Sequence, residues 1–165
     1  MSQDPVARVQ AALDAFDLGI QVRRFEVPTA TAEQAAAAIG CELGAIVKSL
    51  CFLIDADPAS GRQQPVLVLA AGDRRVDTKA LRRIFQVSKK KVKTADPERV
   101  LTATGFEVGG VPPLGHPRPL PTLIDESLSR FETVYAAAGS DDSIFAIPYR
   151  TLVEITRGEV HALAL

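Results

Sequence analysis

The run Ala45 to Ile54 constrains the fold more than any other part of the chain, because only Lys48 and Ser49 interrupt its apolar character. A second apolar run, Pro65 to Ala71, follows it, and the segment from Asp57 to Gly61 between them reads as a turn. Two such runs on either side of a turn predict a β-hairpin, with a connection longer than the tightest types. With a side-chain period of two, Ile46, Lys48, Leu50, Phe52 and Ile54 share one face of the first strand. Val47, Ser49, Cys51 and Leu53 share the other.

The segments around this hairpin carry their own start and stop signals. Asp4-Pro5 is a helix N-cap followed by Pro at the first helical position, and Val6, Val9, Leu13 and Phe16 fall on one face before Gly19. Ile20 to Val27 alternates and predicts a strand closed by Pro28. Thr31 with Gln34 matches a capping box, and the Ala-rich run behind it stops at Gly40. Asp77 and Asp96-Pro97 begin two further helices, the first with Leu81, Ile84 and Phe85 as its apolar stripe, the second stopped by Gly105. Leu120 to Ile124, Thr133 to Ala138 and Ile144 to Ile147 read as strands, Thr151 to Thr156 as a helix, and the tail from Glu159 as a last strand. The order is mixed rather than regularly alternating, which favours an α+β fold over a doubly wound sheet. A length of 165 residues without repeat or linker predicts one domain over 1–165, able to bury roughly 70% of its extended surface.

Composition removes several classes of function. Only 5% of residues are aromatic and Trp is absent, so base stacking is not the main way this chain would hold nucleic acid. The net charge is −1, whereas proteins that grip long runs of phosphate are usually basic, so contact with a strand end is expected and DNA binding is not. Cys41 and Cys51 define no disulfide framework, which fits a reducing, cytoplasmic setting. No signal peptide and no apolar stretch long enough to span a bilayer is visible, so no membrane is expected.

The familiar catalytic motifs are missing too. His116 and His161 are not in a ligand-spaced pair, so no zinc site and no cofactor is expected. Asp141-Asp142 reads as a polar turn. There is no Gly-x-Ser-x-Gly elbow, no Walker A sequence and no Gly-x-Gly-x-x-Gly. An enzyme built on this chain has to work without the usual nucleophile–base pair.

Two features remain. An ammonium group in a strand apolar on both faces needs a partner or an exit to water, so Lys48 is either functional or snorkels past the strand edge. The ribbon Gly109-Gly110-Val111-Pro112-Pro113 is too rich in Gly and Pro for a helix and too apolar for an ordinary solvated loop. It is either a plain crossover or a stiff backbone whose amides can hold a carbonyl or phosphate oxygen.

Val47-Lys48-Ser49-Leu50, the glycine–proline loop from Thr104 to Gly115, Leu120-Pro-Thr-Leu-Ile-Asp125 and Tyr135-Ala-Ala-Ala-Gly139 occur in this order. Together they resemble the YbaK family, which includes the editing domain inserted in bacterial prolyl-tRNA synthetases. The resemblance spans nearly the whole chain. It implies a mixed, barrel-like β-sheet with flanking helices. It also implies hydrolysis of the ester that joins a wrong amino acid to the 3′ end of a tRNA. On this resemblance Lys48 faces the substrate as the catalytic-site lysine, Gly109 to Pro113 shape the amino-acid pocket, and Gly139 borders it. An aminoacyl ester is already activated, so a positioned water suffices if fixed donors stabilise the oxyanion. The amides of Gly109, Gly110 and Val111 are the expected donors. Ser49 and Cys51 point away from Lys48 and read as packing residues, and His116 as structural or solvated.

The reading is a trans-acting aminoacyl-tRNA deacylase for the small residues Ala, Ser, Thr and Cys, with tRNA for proline as carrier and prolyl-tRNA synthetase as a candidate partner. The alternative from another class is a non-catalytic module that senses an amino acid or a charged tRNA end. Lys89-Lys90-Lys91 and Lys93 form the densest positive patch, and Lys79, Arg82 and Arg83 share one helix face near Arg74 and Arg75. These cations either meet acceptor-stem phosphates or guard a sheet edge.

Overall fold

The computed structural model describes residues 4–57, 59 and 61–165, with backbone alone at 56 and 57. At its centre lie strands β2 (Ile46–Asp57) and β3 (Arg62–Ala71), paired antiparallel from Val47↔Ala71 to Ile54↔Gln64. The expected hairpin is therefore present. Two residues of its turn, Pro58 and Ser60, lie outside the described residues.

Five further strands extend the sheet from this hairpin. On the β3 side, β5 (Thr122–Asp125) runs parallel to β3, and β8 (Glu159–His161) runs parallel to β5. On the β2 side, β6 (Thr133–Ala137) pairs parallel with β2, β7 (Ser143–Pro148) pairs antiparallel with β6, and β1 (Arg23–Arg24) with β7. The last strand, β4 (Val92–Thr94), also pairs with β2, antiparallel. The sheet is mixed, as expected, but its path runs open from β1 to β8. No pairing joins those two ends among the described residues, so the barrel is not closed.

The two neighbours on the outer edge of β2 do not meet. β6 covers Ile46 and Val47, and β4 covers Phe52 to Ile54. The carbonyl of Cys51 accepts from the Ala95 amide at 3.1 Å on this edge, while the Ile46 carbonyl accepts from Gly72 on the β3 side. In an antiparallel ladder the direction alternates residue by residue, so the Ser49 amide and carbonyl face the uncovered gap.

The period-two partition holds. Val47, Cys51 and Leu53 join a core with Leu67, Leu69, Val9 and Leu13 of α1 (Pro5–Asp14), Val100 of α4 (Pro97–Thr104) and Leu152 of α5 (Tyr149–Thr156). Phe52 and Ile54 face the opposite way, against Val66, Val68 and the Ala80 and Leu81 side chains of α3 (Thr78–Phe85). Ile46 packs with Ala35 of α2 (Ala32–Ile39) and with Ile144. Each fully buried leucine in these clusters contributes roughly 1.5–3 kcal/mol relative to exposure. No helix among the described residues is long and apolar enough to cross a membrane.

Two local expectations need correction, and one stretch without an expected element gains one. Only Arg23–Arg24 of the segment Ile20 to Val27 forms a strand, because the Gln10 side chain takes up its backbone: Gln10 Nε2 donates to the Ile20 carbonyl at 2.8 Å and its Oε1 accepts from Val22 at 2.8 Å. Phe16 lies beyond the end of α1 and is 46% exposed rather than on the packed stripe. The basic stretch is a short helical turn at Lys89–Lys91 leading into β4, because it completes the far edge of β2.

Candidate active site

The gap beside Ser49 opens into a cavity of about 360 Å³. The β2 segment Ile46 to Leu50 forms its floor, and the Tyr135–Ala137 part of β6 forms one wall. The N-terminus of α2 and the loop at Val108, Gly109 and Val111 close the other sides.

Local sequence explains how α2 comes to point here. Thr31 Oγ1 accepts from the Gln34 amide at 3.1 Å, and the Gln34 side chain accepts from Thr31 N–H at 3.2 Å, so the capping box is reciprocal. Ahead of it, the Asp141 carbonyl accepts from both Thr29 N–H, at 2.6 Å, and Thr29 Oγ1–H, at 3.2 Å. The Asp142 carbonyl accepts from Phe25. The β6–β7 turn thus holds the entry to α2 by its main chain, and Asp142 accepts from Ser140 Oγ inside that turn.

The glycine–proline loop rests on the same turn. Gly105 ends α4 in the left-handed region, and Thr104 Oγ1 accepts from the Phe106 amide at 3.1 Å. Gly109 takes φ +95, a conformation that disfavours a side chain. The Gly139 amide donates to the Gly110 carbonyl at 2.9 Å. A Cβ on Gly110 would lie 2.7 Å from the Ser140 nitrogen, so two backbones touch where no side chain fits. Val111, Pro112, Pro113 and Leu114 are buried beneath.

The structure therefore places the expected site residues in three groups. Lys48, Gly109 and Val111 line one cavity. Gly110 and Gly139 pack against each other and line a second cavity, of about 550 Å³, behind the loop. Pro112 and Pro113 line neither. The amides of Gly109 and Val111 make no hydrogen bond with another described residue, whereas the Gly110 amide donates to the Glu107 carbonyl at 3.0 Å. That turn bond removes Gly110 from the expected set of donors.

Lys48 Nζ donates to the Arg74 carbonyl at 2.5 Å. Partial burial lowers its pKa below the ordinary lysine value, Glu33 and Asp73 oppose the shift, and Arg75 adds to it. The turn that supplies this carbonyl is held by a two-point ion pair, Arg130 Nη1 and Nη2 to Asp73 at 3.0 and 2.7 Å. Ser49 Oγ is buried without a hydrogen-bond partner among the described residues. Cys51 sits in the core, and burial raises its thiol pKa, which disfavours the thiolate. His116 Nε2 is 2.8 Å from the Pro112 carbonyl, the ring meets Phe106 edge-on, and burial lowers its pKa. It braces the loop from behind and lines neither cavity.

Thr31, Glu33 and Tyr135 also line the cavity and were not singled out from the sequence as site residues. The capping box marked the start of α2, but nothing local showed that this start faces Lys48. Among the described residues, Glu33 is the only carboxylate and Lys48 the only ammonium on the wall.

Comparison with known proteins agrees with this architecture. Residues 26–155 match the family model of the aminoacyl-tRNA editing domain. YwhH of Bacillus subtilis, an uncharacterized protein, is 39% identical over 84% of this chain and 83% of its own. The Enterococcus faecalis protein EbsC, described as a "Putative Cys-tRNA(Pro)/Cys-tRNA(Cys) deacylase", is 24% identical over 78% of this chain and 74% of its own. A crystal structure of "a putative trans-editing enzyme for prolyl tRNA synthetase" superposes with a TM-score of 0.87 at 34% identity, covering 100% of this chain and 99% of that one. With an open mixed sheet, flanking helices and a match over most of its length, this chain belongs to the aminoacyl-tRNA editing domain family.

Proposed function

We propose that this protein hydrolyses, in trans, the ester between a mischarged small amino acid of the Ala, Ser, Thr and Cys class and the 3′ end of a tRNA, with tRNA for proline as carrier. The observation that carries this reading is the shared cavity: Lys48 of β2 lines the same space as Gly109 and Val111, whose amides make no hydrogen bond with another described residue. The trans-editing description of the 34% identical structure and the deacylase description of EbsC support the same chemistry.

In this mechanism the terminal adenosine enters past Lys48, which leaves the Arg74 carbonyl and takes a phosphate or ribose oxygen. The aminoacyl group lies in the gap beside Ser49. Its α-ammonium finds a counter-charge at Glu33. Water attacks the ester carbonyl, and the Gly109 and Val111 amides hold the developing oxyanion. The ester C–O bond then breaks, the ribose hydroxyl leaves with a proton, and the free amino acid is released. No protein nucleophile takes part, since Cys51 is buried in the core and Ser49 Oγ is covered. Apolar walls at Ile46, Val111 and Ile144 exclude larger side chains by collision. Among small ones they discriminate weakly, because a methylene is worth only about 1–3 kcal/mol.

The test is a deacylation panel with Ala-, Ser-, Thr- and Cys-charged tRNAs, run with the intact protein and with Lys48→Ala. Faster ester loss with the intact protein alone supports the proposal. An ester half-life that is unchanged or lengthened would mean a binding module instead, and a trapped acyl-enzyme would overturn the nucleophile-free route.

A further inference from the structure

We infer that the outer face of α3 is the track along which the acceptor stem of the tRNA lies, its phosphates meeting Arg75, Lys79, Arg82 and Arg83. This rests on the editing reading above and adds the surface that engages the body of the substrate.

Lys48 projects from the β2 face that α3 covers, since Leu50, Phe52 and Ile54 on that face pack with Ala80 and Leu81. The turn that receives the Lys48 ammonium, at Arg74, leads directly into α3. Lys79, Arg82, Arg83 and Gln86 follow at helical spacing and line a shallow groove with Val87. None of Arg75, Lys79, Arg82 or Arg83 forms an ion pair among the described residues. The nearby acids are occupied: Asp73 by Arg130, Asp77 as the cap of α3, and Asp55 by Lys91 at 3.3 Å. In a chain of net charge −1, a run of unpaired cations on one rigid helix is a local concentration of charge.

The chemistry of that face selects its partner. No large hydrophobic residue of α3 is among the exposed ones, so the face lacks the apolar anchors that dominate protein–protein interfaces. Eight residues of helix extend about 12 Å, which matches roughly three to four phosphates of one strand. The structure also shifts the centre of the basic surface. Lys91 is paired with Asp55, and β4 sits at the end of β2 distant from Lys48. No residue of α3 lines the cavity, but the helix is entered from the turn that holds the Lys48 ammonium and runs from there toward the lysine run.

The test uses the full chain and a triple variant, Lys79→Gln, Arg82→Gln and Arg83→Gln, with Arg118→Gln/Arg150→Gln as a charge control outside the track. Affinity for uncharged tRNA is measured across salt concentrations, independently of catalysis. The triple variant should bind at least tenfold more weakly at physiological salt, with a log–log salt slope shallower by about 2–3, near 0.9 per phosphate contact. The control should match the wild type. On charged substrates, KM for aminoacyl-tRNA should rise while turnover of a short aminoacylated CCA-ended oligonucleotide, which has no stem, stays constant. Wild-type binding without salt dependence, an unchanged slope in the triple variant, or equal loss on both substrates would overturn the assignment. Normal tRNA binding with no ester cleavage by the wild type would instead remove the editing reading and leave the track standing.

Discussion

Gly110→Ala is the sharpest probe of how the loop is built. The φ of Gly110 is not in the left-handed region, so the substitution carries no backbone strain of its own. The added Cβ would lie 2.7 Å from Ser140 N, 2.8 Å from Gly139 C and 2.8 Å from Ser140 Cα. All three are main-chain atoms and cannot rotate away. Ordinary contact begins at 3.4 Å, so the loop and the β6–β7 turn must separate by about 0.7 Å. Overpacking of this kind costs about 1–3 kcal/mol. For a chain of this size that lowers Tm by roughly 2–12 °C. The same displacement moves Gly109 and Val111 relative to Lys48, and a misplacement near 1 Å costs on the order of 100-fold in rate. Urea denaturation and deacylation kinetics of the purified variant check both numbers. Gly40→Ala serves as the control, because it meets nothing within 4 Å and bears only the strain of φ +81. A Gly110→Ala protein as stable and as active as the wild type would refute the picture of two backbones in contact behind the site.

Other perturbations test separate parts of the structure. Lys48→Ala should lower kcat/KM for a mischarged tRNA by about 100-fold or more, the usual cost of removing one preorganised donor. Because burial lowers the Lys48 pKa, blank-corrected activity should fall as pH rises through that lowered value, with the loss beginning below the ordinary lysine range. A pH profile unchanged between wild type and Lys48→Ala would exclude an ionised Lys48 from the rate. His116 is held neutral by burial, so its folded pKa lies below its unfolded one. Unfolding then takes up a proton, and wild-type stability should decline as pH drops from about 6.5 through the folded pKa. His116→Gln should show a shallower decline in the same denaturation series, and parallel curves would contradict the buried placement. Arg130→Ala removes a partly exposed ion pair and should cost roughly 0.5–1 kcal/mol. A double-mutant cycle with Asp73→Ala measures that coupling, and a value above about 2 kcal/mol would show that the pair is far better shielded than its exposure indicates.

Much of the framework was legible residue by residue. Asp4, Thr31, Asp77 and Asp96 all cap the helices that their positions announce, because a cap is a bond between neighbours two or three residues apart. The alternation along Ile46 to Ile54 placed Phe52 and Cys51 in different cores, because the pleat alone sets that direction. Lys48 and the Gly109 loop stood out in the same way, as residue types at odds with their surroundings. What no local pattern contained is which strands adjoin on the outer edge of β2. Ile46 pairs with Tyr135 and Phe52 with Thr94, and the gap left between those two pairings, beside Ser49, opens into the cavity. That space, the arrival of Glu33 and Thr31 at its rim, and the contact of Gly110 with Gly139 all depend on segments distant in the chain packing against a common sheet. Local propensity fixes the direction of each side chain on its own element, whereas the neighbours it meets are set by long-range burial, which only the assembled fold resolves.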